Sequence, residues 1–146
     1  MGLWAYLAAT TWTYFGLLFR AFGNRFGRIA TYERAVACFS RALAHAPQDA
    51  SLYYYRGTLY WRELSDPKQA EADLTRAIEL NPALSRAYLN RGFVRRYALP
   101  ANPSGAMEDL HAYLDRADDP YWRAVAMEEL RQLEEESAQP GGSVSE

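Results

Sequence analysis

From residue 16 onward, apolar and small residues return at fixed offsets. Gly23, Gly57 and Gly92 mark one position, Ala35, Ala70 and Ala106 a second, and Phe39, Leu74 and Leu110 a third, four residues after each alanine. Pro47, Pro82 and Pro120 close the units, and the period is close to 35 residues. Within each unit the apolar residues follow the i, i+3, i+4 spacing of an amphipathic helix. The glycines and alanines mark places where two helices approach too closely for a larger side chain. The pattern predicts three helical hairpins over 16–49, 50–84 and 85–120, with no strand. One hairpin cannot bury its apolar face alone, so the three stack into a solenoid.

Local signals sharpen the boundaries. Thr31, Asp66 and Asn102 lie four residues before the repeat alanines and suit helix N-caps. Pro67 and Pro103 follow two of them, where a missing N–H costs nothing. The second unit carries one extra residue in its internal turn. A capping helix is predicted over 120–136, with Asp119 as its cap and Trp122, Ala126, Leu130 and Leu133 on one face. Residues 137–146 have no periodicity and read as a flexible tail.

These positions resemble the tetratricopeptide repeat, whose pattern runs W-x2-L-G-x2-Y, then A-x3-F, A and P. The first copy reads Phe19, Phe22, Gly23, Phe26, Ala35, Phe39, Ala42, Pro47, and the second Tyr53, Arg56, Gly57, Tyr60, Ala70, Leu74, Ala77, Pro82. The third keeps Tyr88, Gly92, Ala106 and Leu110 but places Arg91 and Arg95 at apolar positions. The resemblance implies an all-α solenoid whose groove, lined by the first helix of each repeat, binds a protein or peptide. It assigns to that groove Arg20, Asn24 and Arg28, then Tyr54, Thr58, Trp61 and Arg62, then Arg86, Leu89, Phe93, Arg96 and Tyr97. A mixed aromatic and cationic surface suits a peptide or helix with acidic groups. One branch of the family clamps a C-terminal carboxylate. Its five positions fall here on Arg20, Asn24, Tyr55, Arg86 and Asn90, of which Tyr55 and Asn90 depart from the required type.

The first helix changes the picture. Met1 to Phe19 contain no charged side chain, a length within the range of a transmembrane helix. Leu3, Trp4, Tyr6, Leu7, Trp12, Tyr14, Phe15 and Leu18 are its expected lipid contacts. Thr10, Thr11 and Thr13 dilute the run, but a threonine hydroxyl can bond back to its own helix. Arg20, Arg25, Arg28 and Arg34 follow with one acid, Glu33, and so place the repeats on the cytoplasmic side of a single-pass anchor. Residues 2–18 would span about 26 Å, slightly short of a ~30 Å hydrocarbon core. The resulting expectation is an accessory or assembly subunit of a membrane complex, such as a photosynthetic or respiratory one. The alternative is a soluble, chaperone-adaptor-like receptor with a degenerate clamp, in which case the first helix exposes a large apolar patch or needs a partner.

Composition excludes other classes. Two histidines and the single Cys38 cannot build a zinc site or an internal disulfide, and no cofactor is expected. There is no Gly-rich phosphate loop, Gly-x-Ser-x-Gly elbow or His-Glu-x-x-His, so no enzyme is predicted. The chain is +6 over residues 1–100 and −8 over 101–146. Its arginines are interleaved with acids along helices, which argues against nucleic-acid binding.

Overall fold

In the computed structural model, which describes residues 2–98 and 100–138, the described residues form seven helices, each packed on the next. They are α1 (Leu3–Phe26), α2 (Ile29–His45), α3 (Ala50–Arg62), α4 (Pro67–Leu80), α5 (Ser85–Tyr97), α6 (Pro103–Leu114) and α7 (Pro120–Ala138). The pairs α1–α2, α3–α4 and α5–α6 are the three predicted hairpins, and α7 packs on α6. The tail expected from Ser137 behaves differently at its start: Ser137 and Ala138 belong to α7, and residues 139–146 lie outside the described part.

Small residues decide how closely the helices pair. The three buried residues of α1 are Ala9, Gly16 and Gly23, seven apart. A Cβ on Gly16 would sit 2.6 Å from the Phe39 ring, and one on Gly23 would run into the Tyr32 ring. Backbone therefore lies directly against aromatic faces. Gly57 and Gly92 play the same part more loosely, with nearest approaches of 3.1 and 3.3 Å to the partner helix. The alanines at the repeat position, Ala35, Ala70 and Ala106, are fully buried.

The caps follow the sequence with one correction. Asp66 accepts from the Gln69 N–H, Asn102 from Gly105, and Asp119 from Tyr121 and Trp122. Thr31 is not a cap but lies inside α2. Gly27, in the left-handed region at φ 63°, ends α1 so tightly that α2 begins at Ile29. The extra residue of the second hairpin is absorbed by Ser65, which takes a left-handed φ of 52°. It lets the Asp66 N–H reach back to the Tyr60 carbonyl.

The membrane-spanning expectation is corrected. Among the described residues no helix is long and apolar enough to cross a membrane. α1 has the length, but threonines, glycines and amphipathic rings lower its apolar content, and one whole face is committed to α2. Trp12, an expected lipid contact, instead packs on the core of the first repeat beneath the Arg41 guanidinium, 4.5 Å from its ring centre. Leu3, Trp4, Tyr6, Leu7, Tyr14, Phe15 and Leu18 are indeed exposed. Thr10, Thr11 and Thr13 donate to the carbonyls of Tyr6, Leu7 and Ala9 at 2.8–2.9 Å.

Candidate groove on the first helices

Residues four apart on a helix share a face, so α1 presents Arg20 with Asn24, and α3 presents Tyr54, Thr58 and Arg62. These five line one hollow together with Leu59 and Glu63. A second hollow of about 360 Å³ adjoins it, bounded by Arg86, Leu89 and Asn90 of α5, Tyr113 of α6, Arg116 in the turn after it, and Trp122 of α7. Tyr54 and Arg62 border both, so the two form one groove across three repeats.

Three cations of this groove are not paired with a carboxylate. Among the described residues Arg20, Arg62 and Arg86 form no ion pair, whereas most buried arginines elsewhere are held by carboxylates. Arg20 lies over the Tyr55 ring at 5.2 Å, and that ring also packs on Phe39. Tyr55 thus fills with an aromatic face the place where a clamp would carry an asparagine. Asn24 accepts from the Tyr32 hydroxyl at 3.2 Å. Burial and the neighbouring Glu63 carboxylate push the Tyr32 phenol pKa upward, so it stays protonated as a donor. Asn90 is 3% exposed; its amide nitrogen donates to the Arg86 carbonyl at 2.7 Å, but its Oδ1 has no partner. A buried acceptor left unpaired costs roughly 1–3 kcal/mol.

The remaining groove candidates are placed elsewhere. Arg96 is spoken for by α7: it donates to the Glu129 carbonyl and Gln132 and pairs with the Glu129 and Glu136 carboxylates. Tyr97 donates to Glu129 at 2.6 Å and Phe93 packs on the last core cluster, so α7 closes this end of the groove. Trp61 is half-buried against the core of the second repeat. Arg28 lies in a separate hollow with Leu18, Phe22 and Phe26. Arg116 and Tyr113 were not anticipated, because they follow from the second helix of a repeat and not from the first-helix positions. Arg116 is fixed over the Tyr88 ring and donates to the Pro82 carbonyl.

No family model matches the chain. RNA polymerase II-associated protein 3 of Xenopus laevis is 32% identical over 124 residues, 85% of this chain but 18% of the relative. The chain thus spans less than a fifth of the curated relatives it matches. Among solved structures, the first TPR of Spaghetti (RPAP3), bound to the HSP90 peptide SRMEEVD, superimposes with a TM-score of 0.69 at 24% identity, covering 87% of this chain and 96% of that one. The second TPR domain of human RPAP3, in complex with the HSP70 peptide SGPTIEEVD, gives 0.66 at 25% identity, with 86% and 98% covered. Three stacked hairpins with a closing helix, small residues at each crossing and these superpositions together establish that the chain has the tetratricopeptide-repeat fold.

Proposed function

We propose that the chain is a non-catalytic protein-interaction module whose groove receives an extended peptide with an acidic, free C-terminus. One observation carries this reading: Arg20, Arg62 and Arg86 line one continuous groove and form no ion pair among the described residues, although Glu63, Asp118 and Asp119 border the same hollows. Unpaired guanidinium groups are built to take carboxylates through two parallel hydrogen bonds. The peptides named with the Spaghetti and human RPAP3 domains both end in Glu-Glu-Val-Asp, which supports the same ligand chemistry here. The clamp is altered, since Tyr55 and Asn90 replace an asparagine and a cation. Arg62 stands between the two hollows as a further cation. The role of accessory subunit in a membrane complex, and a cytoplasmic side fixed by a spanning helix, lose their support with that helix, and the groove carries the alternative.

The test is fluorescence anisotropy with a labelled peptide ending in Glu-Glu-Val-Asp, as free acid and as C-terminal amide. The free acid is expected to bind more tightly, and Arg20→Ala or Arg86→Ala to weaken it by roughly tenfold to a hundredfold, the value of one charge-assisted hydrogen bond. Equal binding of acid and amide, or indifference to both substitutions, would refute the clamp.

A further inference from the structure

Among the described residues the outer face of the first repeat is apolar and uncovered, whereas α7 covers the third repeat. Position 7 of the repeat shows the contrast inside this one chain. In the second and third repeats it holds Arg56 and Arg91, which reach back to Ser40 and Thr75 on the preceding hairpin. In the first repeat it holds Phe22, half-exposed and stacked on Phe26 at 5.6 Å. In the first repeat an apolar ring thus stands where the later repeats carry a polar tether.

The face continues along the whole of α1. Ten of the thirteen large hydrophobic residues exposed among the described ones fall within residues 3–29. At 3.6 residues per turn the exposed apolar residues from Leu3 to Phe26, all but Tyr6, share one stripe roughly 140° wide, on the side away from the glycines that meet α2. A helix apolar on both faces is a helix buried on both. With ring side chains presenting roughly 150–250 Å² each when bare, the stripe exposes on the order of 1,000 Å². A monomer's largest patch is typically about 300–600 Å², and a standard interface uses about 800 Å² from each partner.

Charge decides the occupant. No acid occurs before Glu33, and the cations of α1 and its turn, Arg20, Arg25 and Arg28, all sit toward one end. An acidic partner helix would find cations along barely a third of the stripe, and a helix lying on anionic lipid would carry them along its length. A second copy packed antiparallel satisfies the pattern. Centred between Tyr14 and Phe15, it lays Leu3, Trp4 and Leu7 of one copy over Phe22, Arg25 and Phe26 of the other. Each Arg25 then meets rings and aliphatic chains, a cation–π setting, and never another cation. The same patch serves both copies, as a two-fold interface requires.

We infer that two copies of this chain associate through the outer faces of their α1 helices, antiparallel, leaving both peptide grooves free. Sedimentation velocity of the full chain over a concentration series is expected to show a dimer. Leu18→Glu with Phe22→Glu is expected to give a monomer of unchanged helicity, with the dissociation constant raised roughly thirtyfold or more, as for loss of an interface hot spot. Both side chains are half-exposed in the single chain, and circular dichroism verifies that the variant still folds. Oxidation of a Phe15→Cys variant is expected to yield a covalent dimer, and of a Trp4→Cys variant none, since Trp4 lies far from the axis. Three results would overturn the inference: a native chain that stays monomeric at every concentration, a double variant that remains dimeric, or ready cross-linking at position 4. A monomer that floats with vesicles of mixed zwitterionic and anionic lipid would assign the face to a membrane surface instead. Peptide binding in the groove is a separate readout, unaffected by the double variant.

Discussion

Arg56 and Arg91 hold the same post in successive repeats. Arg56 grips Asp73 through Nε and Nη2 at 2.7 and 2.8 Å, and Arg91 grips Asp109 the same way at 2.9 and 2.7 Å. The third nitrogen of each donates to a hydroxyl on the preceding hairpin, Ser40 or Thr75. Arg95 adds a second cation on Asp109 and a bond to Glu71. Each pair therefore ties three helices together with geometry as well as charge.

Breaking one pair is expected to be costly. Asp109→Ala leaves two nearly buried guanidinium groups facing an empty site, at roughly 3–5 kcal/mol. Joint replacement, Arg91→Met with Asp109→Leu, leaves only Arg95 without this partner and still held by Glu71, and should cost less than the single change. Urea denaturation of the two variants compares them directly; equal losses would mean that the pair contributes nothing through its charge.

The glycines of the first hairpin should be the least replaceable. A methyl group at Gly16 or Gly23 would collide with the Phe39 or Tyr32 ring, whereas at Gly92 it would touch Leu110 at 3.3 Å. Alanine gains about 1 kcal/mol of helix propensity over glycine. Gly92→Ala should therefore be close to neutral, and Gly23→Ala should lose roughly 1–3 kcal/mol from overpacking. Thermal melts of the two settle the ranking.

Ser65→Gly should stabilise. A left-handed backbone costs a non-glycine residue roughly 1 kcal/mol, and Ser65 is exposed with φ 52°. The rise should register as a small increase in the melting temperature; a fall would mean that the serine side chain contributes to the turn.

Arg96→Ala should separate stability from binding. Its partners are on α7, so α7 should loosen, measured as faster amide exchange over residues 126–136, while a groove peptide still binds. Loss of peptide binding with unchanged exchange would return Arg96 to the groove.

Cys38 should ignore thiol reagents in the folded state. It is 5% exposed, and burial raises its thiol pKa, a shift that the nearby Arg41 only partly offsets. Because the folded state resists forming the thiolate, stability falls slightly as pH rises past the ordinary thiol range, where the unfolded chain loses its proton first. Reaction with a chromogenic disulfide at pH 8, fast only after urea is added, checks this.

Periodicity determined the repeat count, the hairpins, α7 and three of the four expected caps, because each depends on residues close in the chain. The Arg20–Asn24 and Tyr54–Thr58–Arg62 stripes were likewise readable from helical spacing. What spacing cannot carry is which face meets a distant element. Arg96 and Tyr97 had the correct helical phase for the groove, but α7, arriving some thirty residues later, takes them. Arg91 and Arg95 looked like damage to an apolar pattern until Asp109 and Glu71 were brought beside them by the fold. Over residues 1–19 the absence of charge suggested lipid, since a sequence does not distinguish a helix sheltered by hydrocarbon from one sheltered by protein. Only the packing of Gly16 on Phe39 and Gly23 on Tyr32 decides that one face belongs to α2. The hydrophobic effect rewards burial without naming the neighbour, and the neighbour is what tertiary structure supplies.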